Sequence, residues 1–286
     1  MLSHLKRDII KNKDACFKND QELHGGISMQ ECLVFGKTLP EAYHKALLEL
    51  NDKGKVISCN DYNQKQKEVS MTYVVEEPLS EPMISKLCIG GFYELQQYVM
   101  EVLDGILDFK LEGGDAWEYT YHDRIVNFSL SDKRFNQIEF VVSDLKRSPD
   151  SRRAVINIRD NTIDPFIPHP ACLQQIQYFI RDQKLHAKVL MRSNDAPEAT
   201  FMNAFAFIML QKRVADAIGV PIGTYSHRAT SFHCYEKDFE LLNSYVNSIN
   251  TKPLEELSYS YSEFYEELMH DSIPGILEAV EKLKRQ

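Results

Sequence analysis

The chain has 286 residues, of which 43% are apolar, 10% aromatic and 26% charged, a globular composition that supports a core and excludes disorder over most of the length. The 33 Lys+Arg against 42 Asp+Glu leave a net charge of −9, which argues against a surface dedicated to nucleic acid or anionic lipid. An anionic ligand therefore has to be held by a local basic cluster. The longest apolar runs, such as Ala204–Leu210, fall short of the ~20 residues of a membrane span. Mean hydropathy is −0.36, and Met1–Asn19 has no continuous apolar segment of a secretory leader. The expectation is a cytoplasmic protein with neither membrane nor nucleic acid as partner. The cysteines Cys16, Cys32, Cys59, Cys88, Cys172 and Cys234 show no CxxC and no regular spacing, so neither a zinc ribbon nor a disulfide framework is indicated. Each is core filler or a nucleophile.

No internal repeat stands out. Residues 1–35 are polar and irregular, with a Gly25-Gly26 break, and read as an extension ahead of a single domain over 36–286. Leu39–Leu50 has apolar residues at helical spacing with Pro40 at its entry, and Asn51-Asp52-Lys53-Gly54 ends it. Val69–Val75 reads as a strand and Phe92–Leu107 as a helix. Ala154–Ile158 and Leu173–Ile180 are β-rich, and Leu185, Ala187, Val189 and Met191 alternate with His186, Lys188 and Leu190. Three strands in series predict an antiparallel or mixed sheet. Pro197–Ile218 reads as a long helix, apolar on most faces and closed by Gly219, hence buried. A central buried helix against a sheet makes the fold α+β. The tail, from Ser258, is a polar loop followed by an amphipathic helix over Pro274–Lys284.

Several polar residues fall where chemistry is expected. Arg152 and Arg153, in Asp150-Ser151-Arg152-Arg153 before a strand, are either surface charge or a bidentate grip on an oxyanion. Cys172, in His169-Pro170-Ala171-Cys172, is either a small buried hydrophobe or a nucleophile whose thiolate is held by the field of Arg192, Arg152 and Arg153. Arg192-Ser193-Asn194-Asp195 closes the next strand, where strand end and helix start together suit a phosphate, and where Asn194 or Asp195 equally suits helix capping. Asn203 inside an apolar helix needs a partner, in the structure or on the edge of a pyrimidine carrying N3–H and a carbonyl. His233 and Tyr235 alternate on a strand and share a side, suited to a sugar hydroxyl or to a cross-strand pair.

The order of these motifs, DSRR, PAC, RSND, an asparagine in a helix, then SFHCY, resembles the thymidylate synthase and pyrimidine nucleotide hydroxymethylase family. The resemblance spans Phe140–Leu242 well and Leu39–Arg124 loosely. It implies a large mixed sheet packed against helices, including the long buried central helix, and a homodimer formed through the sheet face. It implies that Cys172 attacks C6 of a pyrimidine nucleoside monophosphate, activating C5 toward the one-carbon unit of 5,10-methylenetetrahydrofolate. No metal is implied. Arg192 and Ser193 look like phosphate ligands, Arg152 and Arg153 like the pair that reaches the same phosphate across the dimer, and His233 and Tyr235 like the pair on the 3′-hydroxyl. Asp195 resembles the carboxylate that bonds the folate pterin, and Asn203 the amide that reads the uracil edge. Tyr121 resembles the tyrosine of the proton-transfer network, with Tyr119 as alternative. Glu101 resembles the acid/base glutamate, with Glu94 as competitor.

The sequence also departs from the family pattern. Asn63-Gln64-Lys65-Gln66-Lys67 stands where an arginine loop is usual, and Ala199-Thr200-Phe201-Met202-Asn203 keeps only the asparagine of its motif. Trp117 is the sole tryptophan, and the terminus Lys282-Leu283-Lys284-Arg285-Gln286 lacks an apolar last residue. A wetter site favours water over hydride at the exocyclic methylene. The resemblance thus implies conversion of dUMP to dTMP, with 5-hydroxymethylation of dUMP, dCMP or CMP as the alternative, and the amide at Asn203 favours uracil. A non-catalytic nucleotide-binding relative is the contrasting reading, against which the retained Cys172 and the acidic balance speak.

Overall fold

A computed structural model describes residues 29–112, 116–130, 133–261 and 263–285. In chain order the elements are β1 (Glu31–Gly36), α1 (Leu39–Lys53), β2 (Lys55–Cys59), β3 (Gln64–Val75), β4 (Ile84–Ser85), α2 (Phe92–Asp104), α3 (Tyr121–Val126), β5 (Phe128–Leu130) and β6 (Lys133–Phe135). They continue with α4 (Gln137–Arg147), β7 (Val155–Asn157), β8 (Leu173–Arg181), β9 (Lys184–Asp195), α5 (Thr200–Ile218), β10 (Ile222–Tyr235), α6 (Phe239–Thr251), β11 (Ser258–Tyr259), α7 (Glu263–Asp271) and α8 (Ile273–Leu283). The main sheet runs β1-β3-β10-β9-β8-β7, with β2 also paired to β3. β1 with β3 and β10 with β9 are parallel, and the other pairs in the sheet are antiparallel. The sheet is therefore mixed and the fold α+β, as the sequence predicts.

Strand alternation sends Met71, Tyr73 and Val75 of β3, Tyr225 and Ala229 of β10, Ala187 and Val189 of β9, and Tyr178 of β8 into one core, as period-2 patterning requires. Against them lies α5, whose Phe201, Ala204, Phe205, Phe207, Ile208 and Leu210 are all buried. Its burial on most faces matches its unbroken apolar run. It starts at Thr200 rather than Pro197, because Asp195–Glu198 form a turn in which Glu198 N–H donates to Asp195 Oδ1 at 3.2 Å. Helix α2 stops at Asp104, short of Leu107, because Gly105 adopts φ 65°, a left-handed conformation suited to glycine at a helix C-terminus.

Residues 31–35, which the sequence places with the extension, form β1, while residues 1–28 lie outside the described residues. The strand is set by alternation: Cys32 enters the core and Leu33 and Phe35 take the opposite face, 60% and 51% exposed. The tail also holds more structure than its polar sequence suggests. Ser258 and Tyr259 pair with β4, and α7 precedes the expected last helix.

A buried ion pair braces the segment that leads to Cys172. Arg124 on α3 donates to Asp164 Oδ1 and to the Ile158 carbonyl, each at 2.9 Å, and Asp160 N–H donates to Asp164 Oδ2 at 2.9 Å. The two charged side chains are 6% and 0% exposed. Removing one partner of such a pair strands the other charge in a poorly hydrated site. We expect Arg124→Met to lower unfolding free energy in denaturant by about 3–5 kcal/mol, and Arg124→Met with Asp164→Leu to recover most of it.

Candidate active site

Topology assembles the site from strand ends. β8 runs antiparallel to β9, so its start lies beside the end of β9, and β10 runs parallel to β9, so their ends coincide. In the register Leu173 faces Met191, Ser193 faces Ser231, and Asp195 faces His233. Irregularities between Leu173 and Gln175 and between Ala229 and Phe232 fall at this same level. Such bulges bend strands and re-aim side chains, and they are common beside active sites. Cys172 is thereby held next to Arg192, whose N–H donates to the Cys172 carbonyl at 2.8 Å. The Arg192 guanidinium donates through Nε to the Ala171 carbonyl at 3.1 Å and through Nη2 to that of Pro170 at 2.7 Å.

A cavity of about 410 Å³ opens where α2 meets the segment before α3, lined by Tyr98, Glu101, Leu107, Trp117, Tyr119 and Tyr121 among others. Cys172 lies beside its tyrosines. Tyr119 is within hydrogen-bonding reach of the Cys172 backbone and the Tyr121 hydroxyl, and Tyr121 Oη accepts from Leu173 N–H at 3.3 Å. Of the two candidate glutamates, Glu101 is the one in the cavity. Burial raises its carboxyl above the usual range, against the opposing pull of Gln97 and Lys110, and Gln97 Nε2 donates to it at 2.8 Å. Glu94 is exposed and accepts from Gly91 N–H at 2.7 Å as a cap of α2.

Burial also raises the Cys172 thiol, and Arg192 only partly offsets it. The sequence-based expectation of a cation-stabilised thiolate is thus reversed in the free protein, because desolvation outweighs the one guanidinium nearby. Arg152 and Arg153 supply no such field. Arg152 is exposed, and Arg153 donates to Asp144 of α4 at 3.1 Å.

Asn203 is partnered as its burial demands. Its Oδ1 accepts from Asn194 Nδ2 at 2.9 Å, and its Nδ2 donates to Tyr98 Oη. Asn194 is therefore not a helix cap. His233 is buried and stands 4.6 Å from Tyr235, ring centroid to ring centroid, so the two do share a side. Burial pushes the His233 imidazole down to about 4, leaving it neutral, and its Nε2 has no hydrogen-bond partner among the described residues. Its Nδ1 lies 3.5 Å from Ser193 Oγ. The lysines standing where an arginine loop is usual are engaged elsewhere: Lys65 Nζ is 3.9 Å from Glu236, and Lys67 Nζ donates to the Asn51 carbonyl at 3.1 Å.

The carboxylates of Asp195, Glu198 and Asp238 bring oxygens within 4.8 Å of one another. Lys237 lies 3.0 Å from Glu198 and 3.4 Å from Asp238, so an internal ammonium already partners the group. Tyr98 and His227, which contacts Asn194, are the site residues that the motif reading passes over, and Asn194, read there as part of the phosphate tetrad or a helix cap, instead holds Asn203. The available signals were Tyr98 at i−3 from Glu101 and a histidine at a core position of β10.

Comparison with known proteins follows this geometry. The sequence profile of thymidylate synthase matches residues 93–271. A protein of Methanocaldococcus jannaschii that bears the provisional name of thymidylate synthase is 28% identical over 215 residues, covering 73% of this chain and 93% of that one. The thymidylate synthase of Bacillus phage phi3T is 28% identical over 117 residues, 41% of this chain and 42% of that one. The thermostable thymidylate synthase A from Bacillus subtilis superposes with a TM-score of 0.60 over 73% of this chain and 84% of that chain, at 16% identity, which shows a shared fold. The fold and the sequence matches define an enzyme of the methyltransferase type. The chain belongs to the thymidylate synthase family, whose members bind a nucleotide and use methylenetetrahydrofolate as co-substrate.

Asp195 offers a test of this environment. Burial, with Glu198 and Asp238 nearby, lifts its carboxyl from 3.8 to about 7. A raised carboxyl pKa means that the folded state holds a proton the unfolded chain has lost, so stability falls as pH rises between the two values. Asp195→Asn removes that loss. The Tm difference between Asp195→Asn and wild type is expected to grow in favour of the variant from about pH 4 to pH 7 and then level off, measured by calorimetry across that range.

Proposed function

We propose that the protein transfers a one-carbon unit from 5,10-methylenetetrahydrofolate to C5 of dUMP, giving dTMP. The observation that carries this reading is the convergence, at adjacent strand ends, of Cys172, Arg192 and Ser193 with the paired amide of Asn203. Arg192 and Ser193 hold the 5′-phosphate. His233 and Tyr235 take the 3′-hydroxyl, for which the unpartnered His233 Nε2 is suited. Asn203 bonds the uracil edge.

Cys172 Sγ gives up its proton and forms a bond to C6, which places an electron pair on the C4–C5 unit. Glu101, through ordered water, supplies a proton to O4 and later recovers it; a carboxyl raised by burial is matched to that exchange. C5 then takes up the one-carbon unit as that unit's bond to the folate nitrogen breaks, and hydride from the tetrahydrofolate, which leaves as dihydrofolate, completes the methyl group. Tyr121, tied to Leu173 N–H beside Cys172, helps carry off the C5 proton, and expulsion of the Cys172 thiolate restores the ring. The aromatic walls of the cavity, Tyr98, Trp117 and Tyr119, fit a flat heterocycle, and Asp195 bonds its pterin edge.

The protein acts in the cytoplasm as a homodimer. The exposed Leu33 and Phe35 on the outer sheet face support sheet-to-sheet pairing, which would bring the partner subunit's Arg152 and Arg153 to the phosphate. Trp117, 44% exposed at the cavity wall, keeps one other outcome in view, capture of the methylene by water to give a hydroxymethyl product.

The test is the product mass after incubation with 5,10-methylenetetrahydrofolate and, in parallel, dUMP, dCMP and CMP. A methyl product from dUMP is expected, with none from Cys172→Ala. A product heavier by the elements of formaldehyde makes the protein a hydroxymethylase, and an unaffected Cys172→Ala overturns the nucleophile assignment.

A further inference from the structure

The Asn203 amide belongs to a longer chain of hydrogen bonds whose direction is fixed from within the core. Tyr225 is fully buried, and its hydroxyl meets His227 Nδ1 at 2.8 Å. His227 Nε2 meets Asn194 Oδ1 at 2.8 Å, Asn194 Nδ2 meets Asn203 Oδ1 at 2.9 Å, and Asn203 Nδ2 meets Tyr98 Oη. An amide oxygen only accepts, so Nε2 of His227 carries the ring proton. Burial pushes the imidazole down to about 3, so it is neutral and its Nδ1 is a bare acceptor. The Tyr225 hydroxyl therefore donates to it, and every proton in the chain points toward the cavity. Tyr73 stacks on the His227 ring at 4.7 Å and an interplanar angle of 10°, which holds its plane.

We propose that Tyr225, His227 and Asn194 are specificity-determining positioning residues, locking the Asn203 amide in the sense that accepts uracil and rejects cytosine. The inference rests on the nucleotide reading of the site given above. Uracil presents N3–H and O4, which meet the second lone pair of Asn203 Oδ1 and the second hydrogen of Nδ2. Cytosine presents the reverse, an acceptor at N3 and an amine at C4. A free amide would turn over to meet it at little cost. This one cannot, because turning sets Asn203 Nδ2 against Asn194 Nδ2, donor to donor. Relieving that clash requires turning Asn194, moving the His227 proton to Nδ1, and leaving the Tyr225 hydroxyl without an acceptor in the core. Discrimination then comes from a polar group that is not free to adapt.

The experiment measures dUMP and dCMP binding by titration calorimetry on the full chain, with melting curves to verify folding, for wild type, Asn203→Ala, Asn194→Asp and Tyr225→Phe. Wild type is expected to prefer dUMP. In Asn194→Asp the new carboxylate still accepts from His227 but demands a donor from Asn203, so the amide turns and the dUMP-to-dCMP affinity ratio falls by about tenfold or more. Tyr225→Phe keeps the ring, frees the histidine tautomer and moves the ratio the same way by a smaller factor; it carries the test should Asn194→Asp not fold. A ratio that depends on Asn203 yet stays within about twofold of wild type in the folded relay variants overturns the relay alone. A wild-type preference for dCMP overturns the sense of the lock. Failure of wild type to bind either nucleotide overturns the nucleotide reading, and the relay with it.

Discussion

The amide pair between Asn194 and Asn203 is the fastening on which the site depends. It joins the end of β9 to the first turn of α5, the two elements that meet across the core. Both side chains lie in an apolar surrounding, where an unpaired amide costs about 1–3 kcal/mol. Each is partnered at both its oxygen and its nitrogen only because the other, His227 and Tyr98 are in place. The buried polar chain thus fixes how far along β9 the helix α5 seats, and α5 in turn packs on α2, which carries Tyr98 and Glu101. Satisfied networks of this kind specify one arrangement of a core that apolar packing alone would leave more tolerant.

That fastening works together with the sheet's connectivity. A mixed order, with β8 antiparallel and β10 parallel to β9, is what brings one strand start and two strand ends to the same edge. The bulges at this level fall at Gln174 of β8 and at Thr230-Ser231 of β10 against β3, while Ser193 and His233 keep their places in the β9–β10 ladder. Backbone pairing holds Cys172 as well, since Arg192 N–H bonds its carbonyl. The site is therefore built on rigid elements, and its reactive groups need little reorganisation to meet a ligand.

Much of this was legible in the sequence, and the reasons for the exceptions are physical. Long elements with a clean period, α5 and β9, were readable because one face or all faces must be buried. Strand β1 was missed because its alternation is short and follows a polar stretch, so only its register with β3 reveals it. The strand-end motifs put Cys172, Arg192, Ser193, Asp195, His233 and Tyr235 at neighbouring strand ends, where the register places them, since a strand fixes their spacing. The charge state of Cys172 was not legible, because it turns on how deeply the thiol is buried and not on how many arginines lie nearby in sequence. Tyr98 and His227 left only weak signals for a related cause: each matters through a partner distant in the chain, Asn203 for one and Asn194 for the other. Arg152 and Arg153 keep their place in the motif, but Arg152 is exposed and Arg153 is bonded to Asp144.

Arg192 links recognition to chemistry in a chain whose overall charge is negative. Two of its N–H groups are committed to the Ala171 and Pro170 carbonyls, which brace the turn that ends in Cys172. A guanidinium keeps further N–H groups besides these two, and its planar fork is well matched to a phosphate. The same group lowers the Cys172 thiol against the larger effect of burial. A lysine here would bring charge without the planar fork, so it could not hold two carbonyls and a phosphate at once. On the proposed reading, the residue that would anchor the nucleotide also braces the segment carrying Cys172 and eases loss of its proton, so binding and attack would share one geometry.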